Sequence, residues 1–206
     1  YWAHYGIYEE TLRRFRVRAL KSYSSQTREG KQFEIRATPT EPIFAYIGNG
    51  YIKIYRPNSP KMRFLYGGQM PNPYSFGMEQ IPSKGDILFI TGGEKDVLSL
   101  SAHHFHAICF NSETAQIPEN IIESLQLRFR HIILLYDTDE TGVRESDRQA
   151  NLLEAYKVQQ LQLPLKGTKT EKDISDYFAL GNEEEDFRKL LDKLFSQMYT
   201  QTMMML

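Results

Sequence analysis

The apolar residues of this chain follow two rhythms that change near residue 85. Residues 1–20 read as a helical segment, with Tyr8 and Thr11 near its start and Leu12, Phe15 and Val17 as its apolar positions. Residues 21–40 are polar, and 22–32 reads as a surface loop. Residues 41–66 break into short strands, and Asn49-Gly50 between two β-rich runs marks a hairpin. Alternation over 51–56 puts Tyr51, Lys53 and Tyr55 on one face and Ile52, Ile54 and Arg56 on the other. Residues 67–77 are rich in Gly and Pro and read as a hinge.

After residue 85 strands and helices alternate. Strands are expected at 86–91, 105–110, 131–137 and 157–164, and helices from Glu94, over 117–129, over 139–156 and through most of 173–197. That order implies βαβ units: an α/β fold with a parallel sheet flanked by helices, preceded by a smaller α+β subdomain. The expected parts are a subdomain over 1–80, the sheet domain over 85–180, and a C-terminal helix and tail over 181–206. No internal repeat is visible.

Composition narrows the picture only a little. Hydrophobic residues make up 41% and charged residues 25%, ordinary for a globular protein. A net charge of −1 gives the whole molecule no nucleic-acid signature, so any such footprint must be a local patch. The single cysteine, Cys109, lies in an apolar stretch, reads as core and excludes a disulfide framework. No run approaches the ~20 apolar residues of a membrane span and no signal peptide is visible, so the default location is cytoplasmic. The chain opens on Tyr1 rather than Met and reads as a piece of something longer.

The chemistry concentrates at strand ends. The apolar run 131–136 leads directly into Asp137-Thr138-Asp139, so a buried strand delivers two carboxylates to its C-terminal end. The strand at 86–91 leads through Gly92-Gly93 to Glu94 at a helix start, and a third acidic group, Asp173 and Asp176, follows the last strand. Singly, each has a plain reading as a helix N-cap or first-turn acid. Jointly, three acidic groups after three strands of one parallel sheet converge on one edge. Such a cluster suits a hard divalent ion, Mg²⁺ with Mn²⁺ as substitute, and phosphoryl chemistry. His103, His104 and His106 lack partners at ligand spacing and read as surface or capping groups.

The stretch 87–100 (ILFITGGEKDVLSL), followed by 131–142 (HIILLYDTDETG), resembles the Toprim domain shared by bacterial-type primases, type IA and II topoisomerases, OLD-family nucleases and recombination-repair proteins. The resemblance implies catalytic or metal-binding roles for Glu94, Asp137 and Asp139. One departure stands out. The family's "EG--D" becomes Gly93-Glu94-Lys95-Asp96 here, so Glu94 follows rather than precedes a glycine, and Asp96 matches the family's helix aspartate, read as structural. Residues 5–17 look like the helical opening of the bacterial primase core, 51–66 resemble the basic segment before its Toprim domain, and 172–178 resemble its "KD-ND" element, although Asp173 and Asp176 are three apart rather than two.

Together these imply a phage or mobile-element type DNA primase core: Mg²⁺-dependent synthesis of short RNA primers on single-stranded DNA from ribonucleoside triphosphates, beside a replicative helicase in the same or a separate chain. Asp137, Asp139, Asp173 and Asp176 would hold metal, with Glu94 as acid-base or further ligand. Lys53, Arg56, Lys61, Arg63 and Lys95 would meet template or nucleotide, against the plain reading of a solvated edge strand or of Lys95 pairing with an acid. The alternatives are a Toprim nuclease or topoisomerase-like strand cleaver, and a non-catalytic DNA-binding module. No zinc-binding module and no GxxxxGK[ST] loop occur in these residues.

Overall fold

The computed structural model describes residues 1–27 and 29–204. The chain divides into two compact units, residues 9–74 and residues 1–8 together with 75 onward. The α/β class expected from the sequence is the class observed.

The smaller unit holds α1 (Glu9–Arg14), β1 (Val17–Leu20), β2 (Ser22–Gln26), β3 (Gln32–Arg36), β4 (Ile43–Ile47), β5 (Tyr51–Tyr55) and β6 (Phe64–Gly68). Four strands form an antiparallel sheet in the order β1-β4-β5-β6, and β2 and β3 form a separate hairpin. The single helix expected over 1–20 is therefore broken. Arg16 adopts a left-handed backbone (φ 54°) that ends α1, and Val17 then pairs with Tyr46 in extended form. The loop expected over 22–32 is largely the β2–β3 hairpin. Its inward positions, Tyr23, Phe33 and Ile35, are too few and too interspersed with serine to give an apolar signal.

The two faces of the antiparallel sheet differ in kind. One buries Ile43, Ala45 and Ile54 against Leu20, Tyr23, Ile35 and Leu65. The other is aromatic, with Tyr46 stacked on Tyr55 and Tyr55 on Phe64. Lys53 belongs to this face and is only 1% exposed. Its Nζ lies 4.7 Å from the Phe64 ring centroid, 4.9 Å from Tyr74 and 5.8 Å from Tyr66. The alternation read from sequence holds, but the face carrying Lys53 is a covered one.

The larger unit opens with a 3₁₀ turn (Trp2–Tyr5) and continues with β7 (Ser75–Phe76), β8 (Gly85–Thr91), α2 (Glu94–Ala102), β9 (Ala107–Phe110), α3 (Glu119–Gln126), β10 (Phe129–Leu135), α4 (Glu140–Leu152), β11 (Gln159–Gln160), α5 (Ile174–Ala179) and α6 (Glu184–Met204). The strand order is β11-β10-β8-β9-β7, parallel except for β7. Every residue from Leu88 to Thr91 and from Ile132 to Leu135 is buried, as strands covered on both faces require. Leu88, Ile90, Ile108, Phe110 and Leu134 pack with Ile122 and Leu125 of α3, while Phe89 turns the other way onto Phe105 and Phe187 of α6. Cys109 is buried in the sheet, as expected.

The strand expected over 157–164 shrinks to Gln159–Gln160, a polar edge where only the bond from Leu161 N–H to Leu134 C=O prolongs the pairing. The tail expected after 197 continues α6 to Met204, and residues 205–206 lie outside the described residues. No helix among the described residues is long and apolar enough to cross a membrane.

The parallel core predicts its own sensitivity. Leu134→Ala, at a fully buried position, should lower unfolding free energy by about 2–5 kcal/mol. The control Leu127→Ala, at a position 84% exposed, should change it by less than about 0.5 kcal/mol. Urea melts of the metal-free protein measure both.

Candidate metal centre

Three neighbouring parallel strands, β9, β8 and β10, end at Phe110, Thr91 and Leu135, and the segments that follow each of them carry acid. Asp137 and Asp139 follow β10, Glu113 follows β9, and Glu94 and Asp96 lie in the first turn of α2 after β8. The loop before α5 adds Asp173 and Asp176. Carboxylate oxygens of Asp96, Asp137 and Asp173 lie within 4.8 Å of one another, and so do those of Glu113, Asp137 and Asp139. Asp137 is common to both groups.

Two of these acids are fixed in the same way. Asp139 is the N-cap of α4 and accepts from Gly142 N–H through Oδ1 at 2.9 Å. Its Oδ2 takes the Lys172 ammonium at 2.7 Å. Asp173 is the N-cap of α5 and accepts from Asp176 N–H through Oδ1 at 2.8 Å, and its Oδ2 takes the Lys95 ammonium at 2.8 Å. In each, one oxygen is committed to a helix start and the other is turned to a cation. Lys172 also reaches Asp137 Oδ2 at 2.5 Å. The plain N-cap reading thus holds for one oxygen of each carboxylate, while the other is paired with a lysine.

Backbone contacts lock this arrangement. Thr138 N–H donates to Lys172 C=O at 2.8 Å, tying the Asp137-Thr138-Asp139 segment to the loop that carries Lys172 and Asp173. Gly142 leaves room for the turn, since a Cβ there would stand 2.1 Å from the Asp137 carbonyl oxygen. Ser175 Oγ donates to Asp96 Oδ1 at 2.7 Å, and Lys172 N–H donates to Asp176 Oδ2 at 3.0 Å.

The electrostatics follow from crowding acids at a dry edge. Burial, then the Asp173 charge, push the Asp96 carboxyl well above its usual range. Burial raises Asp137 as well, against the hydrogen bond from Lys172. Burial followed by the Asp137 charge lifts Glu113 to about 7. Asp139 is lowered, chiefly by the hydrogen bond from Lys172. Burial works against the charge on Lys95, yet Asp96, Asp173 and Asp176 outweigh it and hold its pKa above the ordinary lysine value.

Of the residues singled out in the sequence, Asp137, Asp139 and Asp173 come together here. Asp176 lies 3.6 Å from Lys95 beside them, outside both groups. Glu94 is buried at the first residue of α2 and belongs to neither group. Asp96, read as structural, is in the first. Glu113 and Lys172 were missed, although Glu113 follows a parallel strand just as Asp137 does and Lys172 adjoins Asp173. Lys95 pairs with acids and lies 4.3 Å from the Tyr5 ring centroid. Among the expected template contacts, Lys53 is buried as described, Arg56 faces Glu41 at 3.5 Å, Arg63 donates to Tyr55 Oη at 3.0 Å, and Lys61 is exposed.

Both groups offer only carboxylate oxygens, the donor set a hard divalent cation takes, with no histidine or thiolate to favour a softer one. They fit such an ion chemically, and Lys172 and Lys95 now hold the charges an ion would meet.

A family model described as Toprim-like matches residues 89–178. No curated protein sequence matches the chain. The chain is similar to the primase fragment of the bacteriophage T7 primase-helicase protein, at 20% identity and TM-score 0.63, covering 90% of this chain and 72% of that one. It is similar to the E. coli primase catalytic core, at 15% identity and TM-score 0.68, covering 98% and 76%. A DnaG primase catalytic domain bound to single-stranded DNA matches at 14% identity and TM-score 0.69, covering 93% and 72%. The fold is that of DNA primase catalytic cores, with a Toprim-like sheet.

Two outcomes test these electrostatics. Lys172→Met leaves Asp137 and Asp139 without their shared ammonium. It should cost the metal-free protein about 1–3 kcal/mol and enlarge the rise in melting temperature on adding Mn²⁺. Glu113 binds its proton more tightly folded, at about 7, than unfolded, at 4.5. The metal-free fold should therefore lose stability as pH rises through that interval. Glu113→Gln should flatten this slope and melt roughly 3–6 °C above the parent at pH 8, with little difference at pH 4.

Proposed function

We propose that this chain is the catalytic core of a DNA primase, joining ribonucleoside triphosphates into short RNA primers on a single-stranded DNA template. The observation that carries this reading is that the likeness to primase cores spans nearly the whole chain, residues 9–74 as well as the sheet in which Asp137 links two carboxylate groups. A Toprim-like sheet alone would serve strand cleavage as well; the antiparallel unit beside it in the chain favours primer synthesis.

Asp137, Asp139, Asp173 and Asp96 would hold Mg²⁺, or Mn²⁺ in its place. When bound, the ion neutralises triphosphate charge and makes the attacking hydroxyl more acidic. Asp139 and Asp173 themselves set where that charge stands, because one oxygen of each is held as the cap of α4 or α5. In the reaction a primer 3′-hydroxyl attacks the α-phosphorus, its proton leaves, and pyrophosphate departs. Exposed Lys61 and Arg63 supply phosphate contacts for template. Lys53, buried among rings, serves the fold of that unit. A replicative helicase would be the working partner, a reading supported by the T7 relative being a fragment of a primase-helicase protein.

Asp137→Asn tests the reading. Primer synthesis on single-stranded DNA with Mg²⁺ should fall at least about 100-fold while DNA affinity changes less than about threefold. Mg²⁺-dependent cleavage of the template without primer formation by the parent chain would replace primer synthesis with strand cleavage.

A further inference from the structure

We infer that Glu113 is a working carboxylate of this site, delivered from the β9–α3 loop into the space that a side chain at position 92, just after β8, would fill. The inference deepens the phosphoryl-transfer reading above and rests on it.

The geometry starts at Gly92. A Cβ built there would lie 2.7 Å from Glu113 Cγ, 2.7 Å from its Oε1 and 3.0 Å from its Cδ, its three nearest neighbours. The Gly92 backbone lies outside the left-handed region and accepts an L side chain. What fills that room is the Glu113 carboxylate. It stands with Asp137 and Asp139 in one group and accepts from Asp137 N–H at 2.8 Å.

The loop that brings it there is held at several points. The buried Gln149 side chain of α4 donates to Ala115 C=O at 2.8 Å and accepts from Ile117 N–H at 3.4 Å. Arg148, braced by Glu145 at 2.7 Å, donates to Thr114 C=O at 3.1 Å. The same helix α4 that Asp139 caps therefore fixes the Glu113 loop.

The sequence departure has a counterpart here. Counted back from Asp96, the "EG--D" pattern places its glutamate at position 92, where this chain has glycine. Glu94 lies in neither carboxylate group, whereas Glu113 lies in one.

A purely structural Glu113 would be a hydrogen-bond acceptor that steadies Asp137. A glutamine oxygen accepts equally well and brings no third negative charge beside two others. Glu113→Gln separates the two roles. In the full chain, Mn²⁺ affinity by calorimetry should fall about 10–100-fold, and primer synthesis at least as far, with a cooperative melt retained. Gly92→Glu combined with Glu113→Ala returns the carboxylate from the other strand. It should recover Mn²⁺ affinity to within about fivefold of the parent, where Glu113→Ala alone does not. Mn²⁺ affinity and primer yield within twofold of the parent in Glu113→Gln would overturn the inference. So would a cooperatively melting double variant no better than Glu113→Ala. If the double variant does not fold, Glu113→Gln decides alone. Asp137→Asn keeps the readings apart. A parent that binds Mn²⁺ through Asp137 but makes no primer removes primer synthesis and leaves Glu113 judged on Mn²⁺ affinity.

Discussion

Mutual repulsion among carboxylates at one edge of a parallel sheet is the constraint that organises this molecule. Asp137 stands in one group with Asp96 and Asp173 and in another with Glu113 and Asp139, each within 4.8 Å, at the end of strands that are themselves buried on both faces. Left uncompensated, such a cluster would oppose folding. Helix N-termini take up one oxygen of Asp139 and of Asp173, and Lys172 and Lys95 take up the others. The loop before α5 is consequently as much a part of the site as the strands are. It brings both the acid that completes one group and the lysine that quiets the other.

Much of this was legible in the sequence, and the reason is physical. Asp137 and Asp139 could be placed because the six residues before them leave no choice but a buried strand, and a buried parallel strand ends at a site. Asp173 could be placed because the strand–helix order sends it to the same edge. Glu113 follows a parallel strand as Asp137 does, but its arrival depends on the loop after β9 folding back onto Gln149, a contact with no periodic signature. The β2–β3 hairpin was hidden because serine and glutamine fill half of its strand positions, so pairing, not apolar alternation, makes it a hairpin. For Lys53, alternation assigned the correct face of β5 but not whether that face is covered, which depends on Phe64, Tyr66 and Tyr74.

The two units solve the problem of a charged group in apolar surroundings by different means. In the smaller unit, aromatic rings face the Lys53 ammonium, an arrangement that stabilises a cation. In the larger unit the charges are matched in pairs with hydrogen bonds at both ends. Only the second arrangement offers carboxylate oxygens, the donors that another hard cation would take.

Lys172 has one more consequence, for which ion is admitted. Its ammonium already satisfies Asp137 and Asp139, so an entering ion must displace a charge of +1 from oxygens that hardly need to move. A monovalent ion offers those oxygens no more charge than it removes, and gives up its own hydration as well. A divalent ion doubles the attraction at the same positions. For an ion taken there, the resident lysine would set a threshold of valence, with no need of a cavity sized to exclude monovalent ions.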